Sequence, residues 1–94
     1  MTSKQRAKLR GMANTMNPIF QVGKMGLSDN LIKQIDDALE ARELIKITIL
    51  ETAGDETRTF ANEIAEEVNA DVVQVIGGKA VLYRKSKKNP KIEL

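Results

Sequence analysis

The chain of 94 residues has no cysteine, no histidine and only three aromatic residues, Phe20, Phe60 and Tyr83. Without cysteine there is no disulfide framework and no thiolate metal site. Without histidine the commonest general base and the commonest transition-metal ligand are missing. An enzyme would have to work with carboxylates, lysines, hydroxyls or the one tyrosine. Three aromatics also argue against the stacked-base readout of an RRM, and Phe20 and Phe60 read as core residues. No apolar run approaches the ~20 residues of a membrane span. The start, Met1-Thr2-Ser3-Lys4-Gln5-Arg6, lacks the apolar stretch of a signal peptide. The expectation is a cytoplasmic protein with no membrane association, no catalytic residues, no metal and no cofactor.

What is present is charge, and it is segregated. Residues 1–26 carry Lys4, Arg6, Lys8, Arg10 and Lys24 and no carboxylate, for +5. Residues 27–71 come to −8, and residues 72–94 to +5, so the net charge of +2 hides two basic ends around an acidic middle. If the ends meet in the fold they form one positive face, the footprint of a phosphate backbone.

The most informative stretch is Val22-Gly23-Lys24-Met25-Gly26-Leu27. It follows an extended apolar run, Ile19 to Val22, and precedes an amphipathic helix that starts near Ser28. A helix start presents unpaired N–H groups and the positive end of its dipole. The two glycines allow close approach of a phosphate, and Lys24 adds a cation. A GXXG loop that clamps a nucleic-acid backbone is the device of KH domains.

In order, residues 3–14 read as a helix with Leu9, Met12, Ala13 and Met16 on one stripe and Ser3 as its cap. Arg6 and Arg10 flank that stripe; Lys4 and Lys8 point away from it. Pro18 opens a short strand to Val22. The helix over 28–42 has Ser28 as cap, Leu27 and Ile32 as hydrophobic staple, and Leu31, Ile35 and Leu39 on its buried face. Leu44 to Leu50 alternates as a strand. Residues 55–69 form a third helix, capped by Asp55 or Thr57, with Phe60, Ile64 and Val68 inside and Glu56, Glu63, Glu66 and Glu67 outside. Val72–Ile76 and Lys79–Arg84 read as a hairpin turning at Gly77-Gly78, both with positive φ. Two right-handed crossovers place the second and third helices on one face of a mixed sheet ordered 1-2-4-3. The fold class expected is α/β, a two-layer α+β sandwich, α-β-α-β-α-β-β. Residues 1–85 form the domain, and 86–94 a flexible basic tail.

Several separate motifs, spread over about 80 residues, resemble one family. They are Lys8-Leu9-Arg10-Gly11, the stretch from Pro18 to Leu27, Asp36-Asp37-Ala38-Leu39-Glu40, Glu43-Leu44-Ile45-Lys46-Ile47, Val73-Gln74-Val75-Ile76-Gly77 and Val81-Leu82-Tyr83-Arg84. Together they resemble the YhbY-like proteins, built as a single CRM (chloroplast RNA splicing and ribosome maturation) domain. The resemblance implies RNA binding, a fold similar to the C-terminal domain of bacterial translation initiation factor three, and, for stand-alone bacterial members, a link to large-subunit ribosome precursors. It also implies that Gly23, Lys24, Met25 and Gly26 form the RNA-contacting loop. Many relatives have a second basic residue where this chain has Met25.

The function expected is therefore recognition of structured RNA through its backbone, with ribosomal RNA of the large-subunit precursor as partner and the chain acting as a monomer. The contacts expected are Gly23, Lys24, Met25, Gly26, Lys4, Arg6, Lys8, Arg10, Arg84 and Lys85. The alternative is an adaptor that binds a basic ribosomal protein through the acidic third helix and the Asp36/Asp37/Glu40 cluster. A metal-dependent nuclease built on that cluster lacks a base and a cleft.

Overall fold

In the computed structural model, residues 1–23, 27–52 and 54–94 are described. The elements are α1 (Ser3–Ala13), β1 (Phe20–Gly23), α2 (Asp29–Arg42), β2 (Leu44–Leu50), α3 (Asp55–Glu67), β3 (Asp71–Ile76) and β4 (Lys79–Tyr83). The sheet runs β1-β2-β4-β3, with β1 parallel to β2 and the other two pairs antiparallel. Order and element types are those expected.

Alternation along the strands divides the interior in two. Ile45, Ile47, Ile49, Ala80 and Leu82 point to one face, where they meet Ile35 and Leu39 of α2 and Phe60, Ala61, Ile64 and Ala65 of α3. Leu44, Val81 and Tyr83 point to the other, together with Val73, and meet Leu9 and Ala13 of α1. So α1 lies across the sheet from the other two helices and adds a third, partial layer to the two-layer sandwich expected. Each large aliphatic side chain buried this way contributes about 1.5–3 kcal/mol.

The helix ends show how local sequence sets the boundaries. Thr2, not Ser3, caps α1: its hydroxyl accepts the Gln5 N–H at 3.1 Å while the Gln5 side chain accepts the Thr2 N–H at 2.9 Å. Ser28 caps α2 as expected, accepting the Leu31 N–H. Gly54 stands at the α3 cap without a side-chain bond; Thr57, offered as a cap, is buried and bonds the Thr52 hydroxyl at 2.7 Å.

At the β3–β4 turn only Gly77 has positive φ (+57°), so the expected pair of left-handed glycines is not formed. Gly78 is needed for space: a Cβ there would lie 3.2 Å from the Ile49 carbonyl oxygen, and its own carbonyl accepts the Ile49 N–H.

The segment from 86 to 94, expected to be a flexible tail, is tied to the body through Glu40 and Glu43. No helix among the described residues is long and apolar enough to cross a membrane.

Candidate nucleic-acid interface

The two basic ends of the chain do meet. The Lys8 ammonium donates to the Glu93 carbonyl. Gln5 of α1 lines a cleft with Tyr83, Lys85, Lys91 and Leu94, and Lys4 and Lys8 line a second one with Leu94. Lys4, Lys8 and Lys85 are exposed along this junction, and Arg10 is exposed on the opposite flank of α1. Neither the Lys4 nor the Arg10 side chain has a hydrogen bond or ion pair among the described residues. The exposed carboxylates of α3, Glu63, Glu66 and Glu67, lie beyond the opposite face of the sheet. The sheet thus stands between Lys4, Lys8 and Lys85 and those three carboxylates, while Glu93 lines the cation cleft itself.

Arg6 is different. It is half-buried and donates to the carbonyls of Val72 at 2.5 Å and Val73 at 3.2 Å. The register of β3 shifts between Val72 and Gln74, and this bulge leaves carbonyls for the guanidinium to take. Arg6 therefore seats α1 on the sheet, whereas the sequence suggested a phosphate contact.

Arg84 also departs from expectation. Its side chain is 12% exposed. It donates to Asp36 Oδ1 at 2.5 Å, to the Asp36 carbonyl at 2.9 Å and to the Val68 carbonyl at 2.8 Å, with Glu40 at 3.9 Å. A guanidinium suits a carboxylate as well as a phosphate, and here the internal carboxylate has it.

Sequence reasoning missed the two carboxylates that hold the C-terminal segment. Glu43 is fully buried, with φ +66°, and directly joins α2 to β2. Its carboxylate accepts the N–H groups of Ser86 (2.8 Å), Lys91 (2.6 Å) and Ile92 (2.8 Å). Burial pushes its pKa up, but these three N–H groups outweigh burial and hold it below the usual carboxylate range. Glu40 accepts the Ser86 hydroxyl and the N–H groups of Lys87 and Lys88. The Ser86 hydroxyl first, then those amides, lower its pKa to about 2. One signal was legible: an acidic residue at a helix C-terminus opposes the dipole and calls for compensation. The Lys91 ammonium, which donates to the Ala41 carbonyl at 2.9 Å, supplies some of it.

The Asp36/Asp37/Glu40 cluster is engaged internally. Asp36 and Glu40 serve Arg84 and the C-terminal segment, and Asp37 faces Lys33 at 3.6 Å. No group of three or more potential metal ligands occurs among the described residues. Tyr83 is buried, so it offers no base-stacking face. Burial, then the charges of Glu43 and Asp71, raise its pKa.

Of the glycine-flanked turn, Lys24, Met25 and Gly26 lie outside the described residues. Gly23 ends β1 opposite Leu50, and a Cβ on it would meet nothing within 4 Å. Tyr83, from which the C-terminal segment departs, pairs with Leu44 at the other end of β2. Six residues of strand separate those ends, about 20 Å. The structure brings α1 and the C-terminal cations together but starts the turn at the far end of the sheet.

Comparison with known proteins agrees with this architecture. The family model described as CRS1 / YhbY (CRM) domain matches residues 1–84. The chain is 47% identical over 94 residues to "Probable RNA-binding protein YqeI" of Bacillus subtilis, covering all of this chain and 98% of that protein. It is 35% identical over 94 residues to a Haemophilus influenzae protein named "RNA-binding protein", covering all of this chain and 94% of the other. The solution structure of SAV1595 from Staphylococcus aureus superposes with a TM-score of 0.86 at 48% identity, over 100% of this chain and 98% of that one. These relatives are named for RNA binding and not for an enzymatic activity. With its motifs, sheet order and full-length matches, this chain belongs to the CRS1/YhbY (CRM) domain family.

Proposed function

We propose that this chain binds structured RNA through the phosphate backbone, and that its target is ribosomal RNA during assembly of the large ribosomal subunit. The observation that carries the reading is the junction of the two chain ends, where Lys4, Lys8 and Lys85 stand exposed on the side away from the α3 carboxylates, with Arg10 exposed on the other flank of α1. The names of the relatives support RNA as the ligand class. The family resemblance supports the ribosomal target and a part for Lys24, Met25 and Gly26 beside Gly23. Arg6 and Arg84 are left out, because their guanidinium groups hold the fold together. The protein acts in the cytoplasm as a monomer.

About four phosphate contacts give a log K against log salt slope of roughly −3 to −4. Fluorescence anisotropy with fragments of large-subunit rRNA measures it. The variant K4E/K8E/R10E is expected to lose binding at least tenfold while its melting temperature holds. In cells, crosslinked RNA from the wild-type protein is enriched in large-subunit precursor rRNA. Equal RNA recovery with wild type and variant overturns the reading. A second reading, a basic ribosomal protein seated on Glu63, Glu66 and Glu67, is favoured by their exposure opposite the cations. Reversing those three charges would abolish that contact and leave RNA affinity unchanged.

A further inference from the structure

The α1 face of the sheet is only half covered. Leu9 and Ala13 sit on Leu44, Val73, Val81 and Tyr83, near the Leu44 end. Toward the Leu50 end the same face continues with no helix of the described residues over it. The register sets one row across all four strands: Gln21 on β1, Thr48 on β2, Lys79 on β4 and Ile76 on β3. Three interstrand spacings make that row ~14 Å wide. Gln21, Lys79 and Ile76 are exposed and Thr48 partly so; Lys46, next along β2, is also partly exposed.

The chemistry of this half-face is consistent. Lys46 and Lys79 have no hydrogen bond or ion pair through their side chains among the described residues. No described strand residue on this half carries a carboxylate; Asp71 shares the face only at the other end, opposite Tyr83, and Glu51 follows the last residue of β2. Beside the lysines stand groups that both donate and accept hydrogen bonds, the Thr48 hydroxyl next to both and the Gln21 amide across from Thr48 on β1. The exposed apolar side chains, Leu50 and Ile76, do not merge into a protein-docking patch, because Lys79 lies between them. The flank of α1 that carries Gln5 and Lys8 is taken by the C-terminal segment. The opposite flank, with Arg10, therefore borders the open half. Gly23 ends β1 at the same end of the sheet.

We infer that this open half-face, Gln21, Lys46, Thr48 and Lys79, is a second contact surface for RNA and takes a single-stranded segment. Lys46 and Lys79 each hold a phosphate, and Gln21 and Thr48 bond the Watson–Crick edges of unpaired bases. A duplex has its Watson–Crick edges paired and cannot offer them to the amide and hydroxyl groups. The inference rests on the RNA-binding reading above and adds the class of RNA to it.

The test is a titration of isotope-labelled protein, wild type and K46Q/K79Q, with a uridine dodecamer and with a blunt RNA duplex. For the dodecamer the double variant is expected to bind about tenfold more weakly, with a salt slope shallower by about 1.4, from ~0.7 per lost contact. In the wild type the amide signals of Gln21, Thr48 and Lys79 shift with the dodecamer and not with the duplex. Wild type that binds RNA with those signals unmoved and the variant slope unchanged overturns this inference alone. Equal shifts with the duplex overturn the single-strand assignment. Wild type that binds no RNA overturns the functional reading and this inference with it. The wild-type shifts decide the matter even if the variant folds poorly.

Discussion

The Arg84 guanidinium sits 2.5 Å from Asp36 Oδ1, and the same nitrogen reaches the Val68 carbonyl beyond the end of α3. One side chain following β4 thereby fastens α2 and the α3 terminus to the sheet. Arg84→Gln is expected to lower unfolding free energy by about 2 kcal/mol, read by urea denaturation. Its salt slope for RNA should match that of wild type. Arg10→Gln should do the reverse: unchanged stability, and a slope shallower by about one phosphate contact.

Glu43→Gln removes the charge that three backbone N–H groups share, and an amide oxygen replaces only part of it. A loss of about 2–3 kcal/mol is expected. Limited proteolysis should then cut between 86 and 94 much faster than in wild type.

The same carboxylates predict an acid response. Both have pKa values depressed in the fold, Glu40 to about 2. Their contribution is complete above the ordinary carboxylate pKa, near 4.5, and is lost as pH falls through the folded value. Amide exchange of Lys87, Lys88 and Ile92, followed from pH 5 downward and corrected for intrinsic rates, should show protection that starts to fall near pH 4.5 and is largely gone near pH 2. Protection unchanged to pH 2 would contradict the anchorage.

Gly78→Ala puts a methyl group 3.2 Å from the Ile49 carbonyl oxygen, a backbone atom of β2 that would have to give by a few tenths of an ångström. A cost of about 1–2 kcal/mol is expected in thermal or urea unfolding. Gly23→Ala, where the Cβ meets open space, should be close to neutral in stability.

Much of this architecture was legible in the residues. Ser28 with Leu27 and Ile32 fixes the start of α2, and crossover handedness leads to the strand order. The side of the sheet chosen by α1 was not legible, because Leu9 and Ala13 say which stripe is buried and not what covers it. The anchorage of 86–94 was hidden for another reason: backbone amides are its donors, and they carry no residue-type signal. Arg84 and Arg6 read as phosphate ligands because a guanidinium fits phosphate, carboxylate and carbonyl alike, and only position decides among them. Lys4, Lys8, Arg10 and Lys85 stand exposed on the surface, as the charge pattern suggested.

The bulge at Val73 has an effect on the behaviour of many molecules together. β3 is an outer strand, and an outer strand with open carbonyls invites a neighbour's backbone to pair with it. Here the strand is kinked, and Arg6 already occupies the oxygens of Val72 and Val73. Removing that one guanidinium would loosen α1 and at the same time uncover a margin prone to aggregation, so an Arg6 variant should lose solubility on concentration before it loses its fold.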